Sequence, residues 1–114
     1  MNTLYTVISL FALGALVGMY LFVLVIQKKE TPKFVSFIHG AFVVSALVML
    51  ITYSVNTKPG PVAAIVLFIM AALGGIVLIY KDVTKKPIPQ WLAIGHGLIA
   101  VLGFIFLLVF TFGT

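Results

Sequence analysis

The chain has 114 residues, of which 63% are hydrophobic and 8% charged, and its mean hydropathy is +1.31. A water-soluble domain has about 45–50% apolar and about 25% charged residues, so this composition excludes a soluble fold. The basic residues are seven lysines beside apolar segments, which gives a net charge of +5 without the basic surface that nucleic-acid binding requires. The lack of cysteine excludes disulfides and thiolate chemistry.

Four apolar segments that contain no Asp, Glu, Lys or Arg follow in chain order, at 4–26, 34–53, 62–80 and 92–112. With a rise of about 1.5 Å per residue, a helix of about 20 residues crosses the roughly 30 Å hydrocarbon core of a bilayer. Helices are required because no water is present there to bind backbone N–H and C=O groups. We therefore predict an all-α membrane protein, a single domain over 1–114 with four transmembrane helices.

The predicted connections are short, at 27–33, 54–61 and 81–91, which favours an up-down-up-down bundle. Six of the lysines lie in the first and third connections and only Lys58 lies in the second. Because cytoplasmic loops carry the excess of lysine and arginine, we expect loops 27–33 and 81–91 in the cytoplasm and both termini outside. This pattern indicates a multi-pass protein of a bacterial cytoplasmic (inner) membrane.

A shift of 57 residues aligns the chain with itself without a gap, so that 1–57 matches 58–114. Apolar matches are expected from composition alone, and the weight therefore rests on rarer residues. These are the Lys-Lys pairs, a loop proline and a His-Gly pair: Lys28-Lys29 and Lys85-Lys86, Pro32 and Pro89, His39-Gly40 and His96-Gly97. The pattern predicts a tandem duplication of a two-helix hairpin, with a pseudo-twofold axis along the membrane normal.

His39 and His96 are the only ionisable groups inside the apolar segments apart from tyrosines, and such residues are by default candidates for a functional site. Each lies about 10 Å inside its helix, at the same depth. Diagonal helices of a bundle are about 12–14 Å apart, a span that two imidazoles can bridge with one metal ion between them. A bare zinc ion needs four ligands, whereas haem supplies four equatorial nitrogens and needs only two histidines.

In its architecture and histidine placement the chain resembles small four-helix b-type membrane cytochromes, over all four helices. The resemblance implies haem b as the cofactor and His39 and His96 as its axial iron ligands. Small residues would let a porphyrin edge, or another helix, approach the backbone, and lysines at the cytoplasmic rim would pair with the propionates. These candidate cofactor-binding residues are Gly14, Gly18, Ser36, Gly40, Gly75, Gly97, Lys28, Lys29, Lys85 and Lys86.

The sequence leaves two classes of function open. The first is a haem protein for one-electron transfer with a quinone or a redox partner protein, or for haem sensing or handling. We expect it to assemble as a homodimer in the bilayer. The second is a cofactor-free transporter or channel subunit or an assembly protein, in which the histidines are structural or relay protons. A hydrolytic enzyme is disfavoured. The exchange mechanism of small multidrug exporters needs a glutamate in the first helix, and 4–26 has none.

Overall fold

The structure is a computed structural model that describes residues 2–113, so residues 1 and 114 at the ends of the predicted domain lie outside the described part. It is all-helical, with α1 at Asn2–Ile26, α2 at Lys33–Asn56, α3 at Val62–Val83 and α4 at Gln90–Phe112. Each helix is long and apolar enough to cross a membrane. The prediction of four such helices is therefore confirmed.

The helix ends follow from local backbone chemistry. Pro32, Pro61 and Pro89 immediately precede α2, α3 and α4, where a missing N–H costs nothing. At the end of α1, Lys28 has a φ of 58° and the Lys29 N–H donates to the Leu24 carbonyl at 2.8 Å. This pattern is a Schellman motif, in which the last helical carbonyls are satisfied by a chain reversal. Motifs of this kind normally place glycine where Lys28 stands.

All four helices are longer than the apolar segments that predict them: α1, α2 and α4 begin one or two residues earlier, and α2 and α3 end three residues later. The second continues from Tyr53 to Asn56, and the third continues from Tyr80 to Val83. Polar residues can prolong a helix beyond the hydrocarbon core because the backbone hydrogen bonds are made within the helix. As a result Lys81 and Asp82, expected in a loop, belong to the last turn of α3.

The helices pack as two hairpins, α1 with α2 and α3 with α4, and the hairpins meet along the α1–α4 and α2–α3 seams. Within residues 2–113 no Cα atoms of α1 and α3, or of α2 and α4, approach within 8 Å, so these pairs are diagonal. At one end Tyr5 stacks on Phe112 with ring centroids 5.9 Å apart, and at the other the Gln90 amide donates to the Ile26 carbonyl. The molecule is 42 Å long and 23 Å by 19 Å across.

The apolar core occupies the half of the bundle away from the lysine-rich end. Its centre is Phe11 stacked on Phe68 at 3.9 Å, and Leu4, Leu50 and Leu107 are buried around them. Most other large apolar side chains face outward, and only 11% to 17% of the most apolar stretch of each helix is buried. An outward apolar surface of this extent suits a lipid bilayer.

Many contacts recur at a spacing of 57 residues. Lys85 repeats the left-handed backbone of Lys28 with a φ of 57°, and the Lys86 N–H repeats the bond of Lys29 at 2.8 Å. Phe11 and Phe68, which stack on each other, are themselves 57 residues apart. The two hairpins thus share the same backbone conformation and hydrogen bonds where their first helices end.

Candidate functional site: an imidazole pair inside the bundle

His39 and His96 occupy equivalent places in their helices. Each is the seventh residue of its helix, about 9–10 Å from the lysine-rich end. Both side chains are partly buried. The two histidines therefore form one layer, between the polar end of the bundle and the apolar core around Phe11 and Phe68.

Each imidazole is tied to the other helix of its own hairpin by one nitrogen. The Nδ1–H of His39 donates to the Gly14 carbonyl at 2.8 Å, and the Nδ1–H of His96 donates to the Ala71 carbonyl at 2.7 Å. Because a carbonyl can only accept, Nδ1 must carry the hydrogen and Nε2 of a neutral ring keeps its lone pair. Within residues 2–113 no hydrogen bond engages either Nε2 atom.

The two rings meet in the interior of the bundle, across the diagonal between α2 and α4. Their centroids are 6.2 Å apart and their planes are inclined at 79°. Two metal–nitrogen bonds of about 2 Å each, with about 1 Å from each nitrogen to its ring centre, require about 6 Å between centroids. The centroid distance of 6.2 Å matches this spacing.

Glycines make room for the rings. A Cβ atom at Gly18 would lie 2.8 Å from Cε1 of His39, and one at Gly75 would lie 3.1 Å from Cε1 of His96. At Gly14 the Cβ position is 2.6 Å from Cγ1 of Val43 on α2. The sequence predicts that either a porphyrin edge or another helix approaches these glycines. In the structure, side chains of the neighbouring helix fill the space.

The remaining predicted site residues lie away from the rings. A Cβ atom at Gly40 or Gly97 would meet nothing within 4 Å, so both glycines border open space. The four lysines follow the ends of α1 and α3 and are exposed: Lys28, Lys29, Lys85 and Lys86. Lys28 stands ten residues beyond Gly18, about 15 Å further along the helix direction. The structure thus brings the histidines together with Gly14, Gly18 and Gly75 only.

Ser36, a predicted site residue, joins a polar cluster that sequence reasoning missed. Its hydroxyl donates to Oδ2 of Asp82 at 3.2 Å, and the hydroxyl of Thr31 donates to Oδ1 at 2.6 Å. Thr31 is only 6% exposed. We call Thr31, Ser36 and Asp82 the polar junction. One signal could have revealed it: the corresponding positions of the repeat are all apolar, namely Ile88, Ala93 and Val25.

The chain matches no family model, and no curated protein or solved structure is significantly similar to it. The possible chemistry of the site is therefore judged from the metal-ligating side chains that are present. Among residues 2–113 no three His, Cys, Asp or Glu side chains gather to hold a metal ion. A bare ion would lack ligands at the imidazole pair, whereas a metal that brings its own equatorial ligands needs only the two available nitrogens.

Proposed function

We propose that this protein binds b-type haem through His39 and His96 and carries single electrons within the membrane. One observation supports the proposal above all: two imidazoles, each oriented by an Nδ1–H···O=C bond, lie with centroids 6.2 Å apart. Histidine ligands of metals commonly donate the second ring nitrogen to a carbonyl, which fixes the tautomer and makes Nε2 a better ligand. The donor set therefore fits haem iron.

The role of each residue follows from its contacts. His39 and His96 would hold the iron, and the Gly14 and Ala71 carbonyls would keep both Nε2 atoms deprotonated and available. Bound haem supplies reversible one-electron chemistry at a bis-imidazole iron. The outward apolar surface of the four helices keeps the site in a medium of low polarity. Transfer to a quinone or a redox partner protein is the function we assign, and haem sensing or handling would use the same ligands.

The proposal includes a membrane arrangement. The end-to-end contacts of α1 with α4 support an up-down-up-down bundle, and the contacts that recur at 57 residues support a duplicated hairpin. The lysines at 28–33 and 81–86 favour a cytoplasmic location for the end nearer the histidines, with both termini outside. A bacterial inner membrane and a homodimer stay predictions from the sequence.

The decisive experiment is an absorption spectrum of the full chain purified in detergent from haem-supplied cells. We expect a Soret band with the split α and β bands of six-coordinate low-spin haem. His39→Ala and His96→Ala should each abolish the low-spin spectrum, because either change removes one axial ligand. Thr52→Ala is the matched control, since its exposed hydroxyl bonds only to the Val48 carbonyl of its own helix; it should retain the spectrum.

Two results would overturn the proposal. One is a colourless protein that develops no Soret band when hemin is added. The other is an unchanged low-spin spectrum in both histidine variants, which would place the ligands elsewhere. Haem content and oligomeric state together separate the arrangements: one haem in a monomeric chain means ligation within a chain, and one haem per two chains means that one pair of equivalent histidines is shared between protomers. In the colourless case the histidines would be a structural or proton-relaying pair.

A further inference from the structure

The polar junction connects the two hairpins at the lysine-rich end. Asp82 is on α3, Ser36 is on α2, and Thr31 precedes α2, so both hydroxyl bonds cross the α2–α3 seam. The ammonium of Lys33 adds a third link, donating to the Asp82 backbone carbonyl at 3.3 Å. A cation on the last carbonyls of a helix is favourable, because those groups carry partial negative charge.

The opposite seam is built differently. Its counterpart to Lys33 is Gln90, which donates to the Val25 carbonyl at 3.5 Å and to that of Ile26 at 3.3 Å. The side-chain contacts have no counterpart, because the equivalents of Asp82, Thr31 and Ser36 are Val25, Ile88 and Ala93. Three positions that meet in space are thus polar together in one seam and apolar together in the other. Such a joint difference indicates a single local role.

We propose that Asp82 is a positioning residue that docks one hairpin on the other and thereby sets the separation of the His39 and His96 rings. The rings belong to different hairpins, and each is tied to its own hairpin through Nδ1. Their separation therefore depends on how the hairpins dock. Ser36 lies one helical turn from His39 on a neighbouring face of α2, so a fixed Ser36 fixes the height and rotation of His39.

The carboxylate suits this role better than an apolar contact. Its two oxygens accept from two different donors, which fixes direction as well as distance, and hydrogen bonds to a charged acceptor are stronger than neutral ones. Apolar contacts between membrane helices have little directional preference, since lipid tails are as apolar as the helices. That the paired rings are haem ligands rests on the proposed function; that Asp82 sets their separation does not.

The test uses the haem-free full chain in lipid nanodiscs, with isotope-labelled histidine, and measures the through-space cross-peak between the two rings by solid-state NMR. We expect Asp82→Ala to lose most of this cross-peak. Asp82→Asn should keep it, because its amide oxygen can accept from Thr31 while its NH₂ donates to Ser36. The matched control is Glu30→Ala, which removes an exposed carboxylate at the same end and changes net charge equally; it should leave the cross-peak unchanged.

A second variant reconstructs the junction on the other seam. Val25→Asp, Ile88→Thr and Ala93→Ser together should raise the thermal unfolding midpoint of the otherwise unaltered chain. Introduced into Asp82→Ala, the same three changes should restore the cross-peak. This arm also covers the case in which Asp82→Ala alone does not fold.

Three results would overturn the proposal: an unaffected cross-peak in Asp82→Ala, a graft that leaves the unfolding midpoint where it was, or a graft that restores folding but not the ring contact. None of these results depends on haem. A chain that binds no haem but loses the ring contact in Asp82→Ala would reject the proposed function and keep this inference. If the chain binds haem and Asp82→Ala leaves both haem binding and the ring contact unaffected, the proposed function is kept and this inference is rejected.

Discussion

The glycine at position 18 offers the sharpest test of the imidazole layer. Gly18→Ala adds one methyl group 2.8 Å from Cε1 and 3.2 Å from Nδ1 of His39. Ordinary contacts between carbon atoms are about 3.5–4.0 Å, so the ring has to move by about 0.7 Å or more. Such a movement strains the 2.8 Å hydrogen bond from Nδ1 of His39 to the Gly14 carbonyl, because Gly14 lies on α1 with Gly18. Both effects act on His39.

The net cost can be worked from opposing contributions. Overpacking a filled site costs about 1–3 kcal/mol. Alanine is about 1 kcal/mol more favourable than glycine inside a helix. We therefore expect Gly18→Ala to lower the free energy of unfolding by up to about 2 kcal/mol. Gly75→Ala should cost less, because the nearest ring atom, Cε1 of His96, is 3.1 Å away instead of 2.8 Å.

Gly40→Ala and Gly97→Ala are the controls, at glycines of α2 and α4 that directly follow the two histidines. Nothing lies within 4 Å of either Cβ position, so both variants should gain the helix preference of alanine without a clash. Reversible unfolding in mixed micelles, followed by circular dichroism, gives the stabilities, and the NMR shift of His39 Cε1 reports on the ring. The reasoning is refuted if Gly18→Ala is as stable as Gly97→Ala with an unshifted His39 signal.

Three further predictions concern other levels of the fold. Lys28→Gly should raise the free energy of unfolding by up to about 1 kcal/mol, because φ is 58° and a side chain is disfavoured there; thermal unfolding checks it, and a destabilised variant would contradict it. Phe11→Ala removes half of the buried stack and should cost about 3 kcal/mol, measured in the same way against an exposed control, Leu16→Ala. A single cysteine at Thr57 should react with a membrane-impermeant thiol reagent in intact cells, whereas a single cysteine at Glu30 should react only after the cells are permeabilised; the reverse labelling would invert the predicted orientation.

The helices were predictable because the bilayer imposes a strong and simple condition on the sequence. A segment such as 62–80 has to be apolar for its whole length, and the fold confirms a helix there. The ends were less predictable, because residues beyond the hydrocarbon core are free to continue a helix. That is why Lys81 and Asp82, read as loop residues, prove to be helical.

Of the candidate site, only the two histidines were predictable, because an ionisable side chain inside a membrane is energetically costly. His39 and His96 stand out because ionisable groups are rare in apolar spans. Their carbonyl partners on Gly14 and Ala71 could not be identified, because every residue has a carbonyl and only the helix packing selects one. Asp82 falls in the predicted connection 81–91, although the mismatch between the two repeats marks its position. Differences between repeats thus deserve the same weight as matches.

The histidine tethers also bear on why imidazole stands at these positions. Tying α2 to the Gly14 carbonyl needs only one donor, and a hydroxyl or amide could supply it. An imidazole brings a second nitrogen, which makes no hydrogen bond within residues 2–113 and keeps its lone pair. The same free lone pair occurs twice, at His39 and at His96, and at one depth. The proposed haem would engage both Nε2 atoms, a use for the second nitrogen that a hydroxyl or an amide NH₂ group could not supply.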